Sequence, residues 1–342
     1  MQSLAKEISA AIEAAGGAIP FEKFMSLALY SQNGFYSTVG QAGRRGDFIT
    51  SPEVGPLFGN VVAKAIDSCW RRLGAPEKFT VLDVGAGPGT LARSILSSEI
   101  ESRKQLTLIA VEVSATQREL HPSGAVSQST MPTEPFVGMI IANELLDNLP
   151  FRLFVFDGSW KEAFVGEQNW KFVEILRAVS DTPSWLPPDV AYGTRIPIQM
   201  QAQQWLAGAS SLLSAGSILV FDYCLTTDQA AGRPWREWLR TYRQHEFGEH
   251  YLRNAGLQDI TSHVMIDQLE LIRKPSQVSS QTDWLTKYGI QDLVEEGKSY
   301  WLANASKPDV KALKMRSRIS EAEALCDPSG LGNFKVLEWR QS

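Results

Sequence analysis

The sequence predicts an α/β fold organised around a parallel sheet, and three features carry this prediction. Short apolar runs that are typical of buried strands recur along the chain, and segments with apolar residues at helical spacing separate them. The runs occupy residues 79–84, 106–113, 139–143 and 217–223. A glycine turn containing Gly85, Gly87 and Gly89 joins the first run to a helix. Glycine is needed in such a turn because the backbone adopts unusual dihedrals and approaches a ligand closely.

The glycine turn places a helix N-terminus beside the carboxyl end of a strand, which creates a polar crevice. Two common nucleotide motifs do not match it. A dinucleotide fingerprint requires G-x-G-x-x-G, but Gly89 comes one residue early and Thr90 follows it. A P-loop requires a lysine, which this turn lacks. The alternative to a ligand site is a turn that only packs the helix on the sheet.

An acid at the end of the second strand favours the ligand site. Glu112 follows Gly87 at a distance close to the spacing of about 20 residues expected of a ribose-binding acid. A carboxylate at this point can accept hydrogen bonds from both ribose hydroxyls. The alternative is a strand-end acid that water solvates.

Composition narrows the class of protein. The 342 residues allow one large domain or two, and 44% of them are hydrophobic, which is ordinary for a globular protein. A net charge of −5 does not favour nucleic acid as a partner. The three cysteines are scattered, which favours a reducing compartment and no metal site. The chain shows neither a membrane-spanning run nor a signal sequence, so we expect a cytoplasmic protein without membrane contact.

The N-terminal part of the chain predicts helices followed by a polar segment. Residues 2–15 and 19–30 show helical spacing, and residues 31–36 form a turn beside aromatic residues. In the polar segment that follows, Ser51 suits an N-cap and Pro52 the first turn of a helix over residues 54–70. Capping explains neither Asp47 nor Thr50.

Three motifs then occur in the order and spacing of the MidA-like methyltransferases, which the chain resembles over nearly its whole length. The motifs are G-D-F-I-T-S-P-E at residues 46–53, G-A-G-P-G-T-L at 85–91 and A-N-E-L-L-D-N-L-P at 142–150. The segment D-P-S-G-L-G-N-F-K-V-L at 327–337 resembles the closing motif of that family. The resemblance implies a class I, Rossmann-like sheet and S-adenosyl-L-methionine as cofactor. The family includes a mitochondrial complex I assembly factor that methylates an arginine, which implies a protein substrate.

The resemblance also assigns roles and boundaries. An N-terminal helical segment, residues 1–75, is expected to pack on the cofactor site of a methyltransferase domain at 76–342, with an insertion at about 151–196. The residues expected at the cofactor are Gly85, Gly87, Gly89, Glu112, Asn143 and Thr50. Those expected at the acceptor are Glu144, Asp147 and Asp47.

The acids after the strand at residues 139–143 carry the hypothesis about the acceptor. Amino-methyltransferases that act on DNA, RNA or glutamine amides often place a proline-containing tetrad here, whereas this chain has Asn143 and Glu144 and no proline. Glu144 and Asp147 would share a face if a helical turn forms, and two acids suit a cationic substrate. The alternative is an N-cap followed by an acid that stabilises the helix dipole.

Later segments complete the prediction. Apolar and polar residues alternate from residue 151 onward, which predicts a β-hairpin. Residues 197–214 show the spacing of a helix. Residues 334–339 predict a final strand that pairs antiparallel with the sheet. The segment 233–245 mixes arginines, aromatics and acids, which favours an ion-paired helix face over a nucleic-acid surface. His245 and His263 are possible site residues or structural histidines.

The preferred function is protein arginine N-methylation. Two alternatives stay open at this point: an RNA or small-molecule methyltransferase, and an assembly factor that binds the cofactor without essential catalysis. They differ in what receives the methyl group, which the motifs do not identify.

Overall fold

The computed structural model describes residues 4–38, 50–243 and 246–342, and the structure below refers to these residues. Four 3₁₀ turns occur among them, at Glu101–Lys104, Leu146–Asn148, Trp235–Glu237 and Leu331–Asn333. The α-helices, labelled α1 to α13 in chain order, span Leu4–Ala14, Phe21–Tyr30, Phe35–Thr38, Ser51–Val54, Pro56–Arg72, Thr90–Ser97, Ala115–Arg118, Met200–Leu212, Thr227–Ala231, Ile266–Glu270, Gln281–Lys287, Ile290–Asn304 and Val310–Leu325.

The strands include the apolar runs that the sequence predicts. Labelled β1 to β17 in chain order, they span Ala18–Pro20, Phe79–Val84, Leu106–Val111, Val126–Gln128, Phe136–Asn143, Arg152–Phe156, Trp160–Gln168, Lys171–Arg177, Arg195–Ile198, Leu213–Asp222, Cys224–Leu225, Leu239–Arg243, Glu246–Phe247, Asp259–Ser262, Val264–Met265, Gln277–Ser280 and Lys335–Gln341.

A seven-stranded sheet organises the fold, in the order β16-β17-β10-β5-β2-β3-β4. Strands β10, β5, β2, β3 and β4 are parallel neighbours, while β17 pairs antiparallel with β10. The predicted closing strand is therefore confirmed as antiparallel. The carboxyl ends of β2, β3 and β5 meet at one edge, where open α/β sheets bind their ligands.

Both faces of this sheet are covered, as expected of a parallel sheet. On one face, inward residues such as Val81 and Ile141 pack against α5, α6 and the C-terminal helices. On the other face, Leu82 and Ile140 pack against α8. Side chains alternate between the two cores along each strand because successive residues of a strand point to opposite faces.

A second core joins segments that are far apart in the sequence. Helices α1, α2 and α3 pack with β6 and β7 of the predicted hairpin and with residues between 225 and 265. Strands β1, β7, β6 and β9 form one antiparallel sheet in that order, with β8 paired to β7. Strand β1 connects the N-terminal segment to the insertion through its pairing with β7. The N-terminal helices and the insertion thus form one packed unit beside the edge of the main sheet.

Two local expectations are wrong. The predicted continuous helix over 54–70 is interrupted at Gly55, because Pro56 begins a new helix and disfavours helical backbone in the preceding residue. Ser51 is not the N-cap. That position belongs to Thr50, and the Ser51 hydroxyl donates to Gln281 Oε1 at 2.9 Å.

The segment 233–245 is not a helix over the residues described. It forms a 3₁₀ turn and strand β12, which pairs antiparallel with β14. Leu239 and Thr241 are buried and Arg240 is less so. This alternation is typical of a strand with one face in a core, and it outweighs the charge pattern that favoured a helix.

Two observations concern the described residues alone. None of their helices combines the length and the apolar character that crossing a lipid bilayer requires. No three histidine, cysteine or acidic side chains among them are grouped so that they could hold a metal ion.

Candidate active site

The glycine turn that follows β2 adopts backbone conformations that favour glycine. Gly85, Gly87 and Gly89 have φ angles of 74°, 53° and 76°. The backbone of a residue that carries a Cβ rarely adopts this left-handed region. Among the described residues, a Cβ added at Gly87 would have only Gln117 Oε1 close by, at 3.2 Å. The space above Gly87 is therefore open to the cavity described below.

Glu112 lies directly against this turn. Its Oε2 accepts a hydrogen bond from the Gly87 N–H at 3.0 Å, and its Oε1 accepts one from the Ser114 N–H at 2.8 Å. The carboxylate is 9% exposed and lines the cavity. Because each carboxylate oxygen can accept more than one hydrogen bond, both remain able to accept from a ligand.

Asp83 is a cavity residue that sequence reasoning missed. It lies near the end of β2, is 2% exposed, and its Oδ2 has no hydrogen-bond partner among the described residues. Burial, followed by the negative charge of Glu112, raises the pKa of Asp83 to about 7. Burying a carboxylate oxygen without a hydrogen-bond partner costs free energy. The Oδ2 of Asp83 is therefore a candidate contact for a ligand. The available signal was a charged residue inside an otherwise apolar strand.

These groups line one cavity of about 210 Å³ at the edge of the main sheet. Its walls come from the glycine turn, the ends of β3 and β5, helix α4, and the two tyrosines of the N-terminal segment. The polar or small residues that line it include Tyr30, Tyr36, Thr50, Asp83, Gly85, Gly87, Glu112, Gln117, Asn143, Glu144 and Asn148.

Glu144 brings a carboxylate to this cavity from the end of β5. Its own N–H donates to the Phe221 carbonyl at 2.8 Å, and its Oε1 accepts from Asn143 Nδ2 at 3.0 Å. The residue has a φ of 50°, which is unusual for a residue other than glycine and is stored strain of a kind that clusters at functional sites. Burial, followed by the charge of Asp147, raises the pKa of Glu144 to about 8.

Asp147 is placed differently from Glu144. A helical turn from Glu144 to Asp147 does not form, because Glu144 has a left-handed backbone and the 3₁₀ turn begins only at Leu146. Asp147 is 4% exposed, does not line the cavity, and accepts a hydrogen bond from Thr261 Oγ1 at 2.6 Å. Its Oδ1 has no partner among the described residues. Burial raises the pKa of Asp147 to about 7.

Asp222 ties the loop after β5 to the neighbouring strand β10. Its Oδ2 accepts from the N–H groups of Leu146 and Asp147, at 3.1 and 3.3 Å. Burial, together with the charges of Asp147 and Glu144, raises the pKa of Asp222. Asp222 therefore holds the start of the 3₁₀ turn at Leu146–Asn148, and it does not line the cavity.

The remaining predicted residues divide into those the cavity includes and those it does not. Thr50 and Asn143 line the cavity, and Asn143 Oδ1 has no partner among the described residues. Asp47 and His245 lie outside the described residues. His263 does not line the cavity, and burial lowers its pKa to about 4, so it is a neutral imidazole at physiological pH.

The family model described as "Putative S-adenosyl-L-methionine-dependent methyltransferase" matches residues 61–282, which is more than half of the chain. The chain belongs to this family. It is an S-adenosyl-L-methionine-dependent methyltransferase of the class I fold.

Relatives and solved structures agree with this membership. The methyltransferase is 27% identical over 304 residues to the mitochondrial protein arginine methyltransferase NDUFAF7 homolog of Drosophila melanogaster, covering 77% of this chain and 68% of that protein. It is 29% identical over 124 residues to NDUFAF7 of Rattus norvegicus, covering 34% of this chain and only 28% of that protein. A Burkholderia thailandensis protein crystallised with S-adenosyl-homocysteine superposes with a TM-score of 0.82 at 25% identity, covering 99% of this chain and 92% of that one.

The cavity residues of the methyltransferase fit its cofactor chemically. An open glycine turn would allow close approach of the amino acid part, and Asp83 Oδ2 and Asn143 Oδ1, which have no partner among the described residues, are able to accept from its ammonium or other N–H groups. Glu112 can accept from ribose hydroxyls. The backbone carbonyl of Gln128, at the end of the short strand β4, accepts a hydrogen bond from the Glu112 N–H, so β4 also borders this region.

Proposed function

We propose that this methyltransferase transfers a methyl group to an arginine side chain of a protein. The observation that carries the proposal is the Glu144 carboxylate, which lines the same cavity as the glycine turn and Glu112. Asp147 and Asp222 lie near it, so three carboxyl groups share this region, and a cation that approaches them would favour their ionised forms. Such a surrounding favours a cationic acceptor. The names of the fly and rat relatives, which are protein arginine methyltransferases, support the same acceptor.

Seven residues are proposed to bind the cofactor. The sequence predicted six of them, and the structure adds Asp83. Gly85, Gly87 and Gly89 admit the methionine part, Glu112 accepts from the ribose, and Asn143 and Thr50 line the passage toward the acceptor. Asp83 is the addition, because its unpaired oxygen suits the ammonium group of the methionine part.

Glu144 is proposed as the catalytic carboxylate. When bound, S-adenosyl-L-methionine supplies a methyl group on a positively charged sulfur, which leaves as a neutral thioether. The guanidinium carries a permanent charge, so a carboxylate must orient one nitrogen and accept its proton as the new bond forms. Glu144 accepts N–H bonds from the guanidinium and takes that proton. Its raised pKa, about 8, matches proton transfer near neutral pH better than an ordinary glutamate would.

Asp147 is proposed to act through its charge rather than by contact, since it lies behind Glu144 and does not line the cavity. Asp47 remains a proposed acceptor-side residue on the grounds of the sequence motif alone. Alignment and water exclusion supply the rest of the rate enhancement, because the reaction is an in-line displacement that needs the nucleophile held close to the methyl group.

Mass spectrometry of cell protein with and without the gene tests the proposed acceptor. We expect specific arginine methylation sites to disappear without the gene and to return with the wild-type protein but not with Glu144→Gln. Loss of methylation in the RNA or metabolite fraction, with methylarginine unchanged, would contradict the proposal and favour the alternative enzyme class. Full complementation by Glu144→Gln, without any methylated product, would favour a binding role.

The role of Asp83 is tested by cofactor binding. Asp83→Asn removes the charge and keeps the size, and we expect it to weaken S-adenosyl-L-methionine binding by about tenfold, since a hydrogen bond to a charged group contributes on the order of 1.5–3 kcal/mol. Methylthioadenosine, which lacks the amino acid part, is the matched probe. Calorimetry should show it binding equally to both proteins. Equal loss for both ligands would place Asp83 outside the ammonium site.

A further inference from the structure

Two tyrosines of the N-terminal segment form a ring pair inside the candidate active site. Tyr30 ends helix α2 and Tyr36 lies in helix α3, on either side of the turn at residues 31–34. Their rings stack with centroids 5.4 Å apart and planes inclined by 27°. Both side chains line the cavity that contains Glu144. The methyltransferase sheet contributes neither of them, so the N-terminal segment supplies part of the site wall.

The two hydroxyl groups fix this pair to the loop that carries Glu144. Tyr30 donates to the Asn148 carbonyl at 3.0 Å, and Tyr36 donates to Asp259 Oδ1 at 3.0 Å. Asn148 in turn donates through Nδ2 to the Asp259 carboxylate at 3.1 and 3.2 Å. Burial, followed by the charge of Asp259, raises the pKa of both tyrosines well above the usual value, so both hydroxyls remain donors at physiological pH. The rings are therefore held in place by contacts that do not involve a ligand.

These contacts put the pair beside the loop that follows β5 and carries Glu144. Asn148 follows Glu144 in the loop after β5, whereas the proposed ribose acid, Glu112, follows β3 on the other side of β2. The face of an aromatic ring carries a negative quadrupole that attracts a cation, and a planar guanidinium also stacks on such a face. Lysine, with a compact and strongly hydrated ammonium group, gains less from this arrangement.

We propose that the stacked Tyr30–Tyr36 pair is a specificity-determining wall of the acceptor pocket, which recognises the positive charge and planar shape of the acceptor guanidinium. This inference rests on the proposed arginine acceptor. Two parts of the chain then recognise the acceptor guanidinium. Glu144 binds the N–H groups of the guanidinium, and the Tyr30–Tyr36 pair binds its planar face. This arrangement also gives the N-terminal segment a direct role in substrate choice.

The test compares variants that remove a ring with variants that keep it. Tyr30→Leu and Tyr36→Leu remove the ring, while Tyr30→Phe and Tyr36→Phe keep it and lose only the hydroxyl anchor. The measurements are kcat and KM for an arginine peptide, inhibition by the same peptide with citrulline in place of arginine, and affinities for S-adenosyl-L-methionine and S-adenosyl-homocysteine. Citrulline keeps the shape of the acceptor but lacks its charge.

For the leucine variants we expect KM for the arginine peptide to rise roughly two- to thirtyfold, the range that cation–π energies correspond to. The preference for arginine over citrulline should fall by a similar factor. The phenylalanine variants should stay within about twofold of wild type in that preference, because the quadrupole of the ring remains. The affinity ratio of S-adenosyl-L-methionine to S-adenosyl-homocysteine should not change in any variant.

If a leucine variant does not fold, Tyr36→pentafluorophenylalanine replaces it, since fluorination keeps the ring and reverses its quadrupole. Its preference for arginine should fall relative to Tyr36→Phe. Wild-type KM and preference in the variants that alter the ring would overturn the inference while leaving arginine methylation intact. A selective loss of S-adenosyl-L-methionine relative to S-adenosyl-homocysteine would also overturn it, because the recognised cation would then be the sulfonium. A wild-type enzyme that methylates no arginine peptide would instead refute the proposed function itself.

Discussion

Replacing Glu144 with glutamine is expected to slow methyl transfer by roughly one to two decades, because a charge-assisted hydrogen bond contributes on the order of 1.5–3 kcal/mol. Glutamine keeps the shape of the side chain and its acceptor oxygen for Asn143, but it cannot take a proton from the acceptor. Affinity for S-adenosyl-L-methionine should hardly change, since Glu112 and the glycine turn are untouched. Measuring cofactor binding and methyl transfer on the same protein separates the two roles.

The pH profile gives a readout that a purely structural role would not move. Glu144 must be ionised to accept a proton, and its pKa is raised to about 8. In the wild type, kcat/KM should therefore rise with pH from about 6 and level off above 8. In Glu144→Gln this rising limb should disappear or shift to the pKa of another group.

Two further variants serve as controls for Glu144. Asp147→Asn should have a smaller effect on transfer, because Asp147 does not line the cavity. Glu134→Gln, which changes an exposed acid before β5, should leave transfer unchanged. Normal transfer by Glu144→Gln would show that this carboxylate is not catalytic. Loss of cofactor binding by Glu144→Gln would assign it to the cofactor pocket instead.

Replacing Gly87 with valine is expected to abolish measurable cofactor binding in a protein that still folds. The φ of 53° at Gly87 is unfavourable for a β-branched residue, and the added side chain would occupy open space above the turn. A backbone in the left-handed region costs about 1–2 kcal/mol for a residue with a Cβ, and exclusion of the ligand adds to this. Calorimetry with S-adenosyl-homocysteine measures the result directly.

Gly158→Val is the matched control for Gly87→Val. Gly158 lies in the turn between β6 and β7 and has a φ of 93°, and no heavy atom of the described residues lies within 4 Å of an added Cβ. The substitution therefore introduces comparable backbone strain far from the cavity. It should lower the melting temperature by a few degrees, on the order expected for about 1 kcal/mol, and keep full affinity for the cofactor. Unchanged affinity in a folded Gly87→Val protein would contradict the assigned site.

Local patterns predicted most of the main sheet and part of the site. The apolar runs are strands because parallel strands covered on both faces are apolar throughout. The glycine turn and Glu112 are recognisable because both follow such strands directly, and the hydrogen bond from Gly87 to Glu112 places them together as expected. The segment 233–245 was misassigned because its charge pattern suits an exposed helix, whereas burial of Leu239 and Thr241 in a tertiary core decides for a strand.

Other parts of the site depend on contacts that no local pattern contains. The Oδ2 of Asp83 has no donor among the described residues, and this depends on how the surrounding strands pack. Asp147 does not line the cavity, and its side chain accepts a hydrogen bond from Thr261, which is far along the chain. The Tyr36 hydroxyl is held by its hydrogen bond to Asp259, which is also distant in sequence.

The sequence by itself determined the class of fold, the strand–turn–helix at the cofactor and the family, because each depends on residues that are close in the chain. Only the tertiary structure decided that Glu144 lines the cavity and Asp147 does not. That outcome depends on the left-handed backbone of Glu144, on the hydrogen bond that the Asp147 N–H donates to Asp222, and on the one that Asp147 accepts from Thr261. The tertiary structure alone also brought the rings of Tyr30 and Tyr36 to the same cavity. The physical reason is that side-chain orientation at a site is set by packing between distant elements, which a local pattern does not contain.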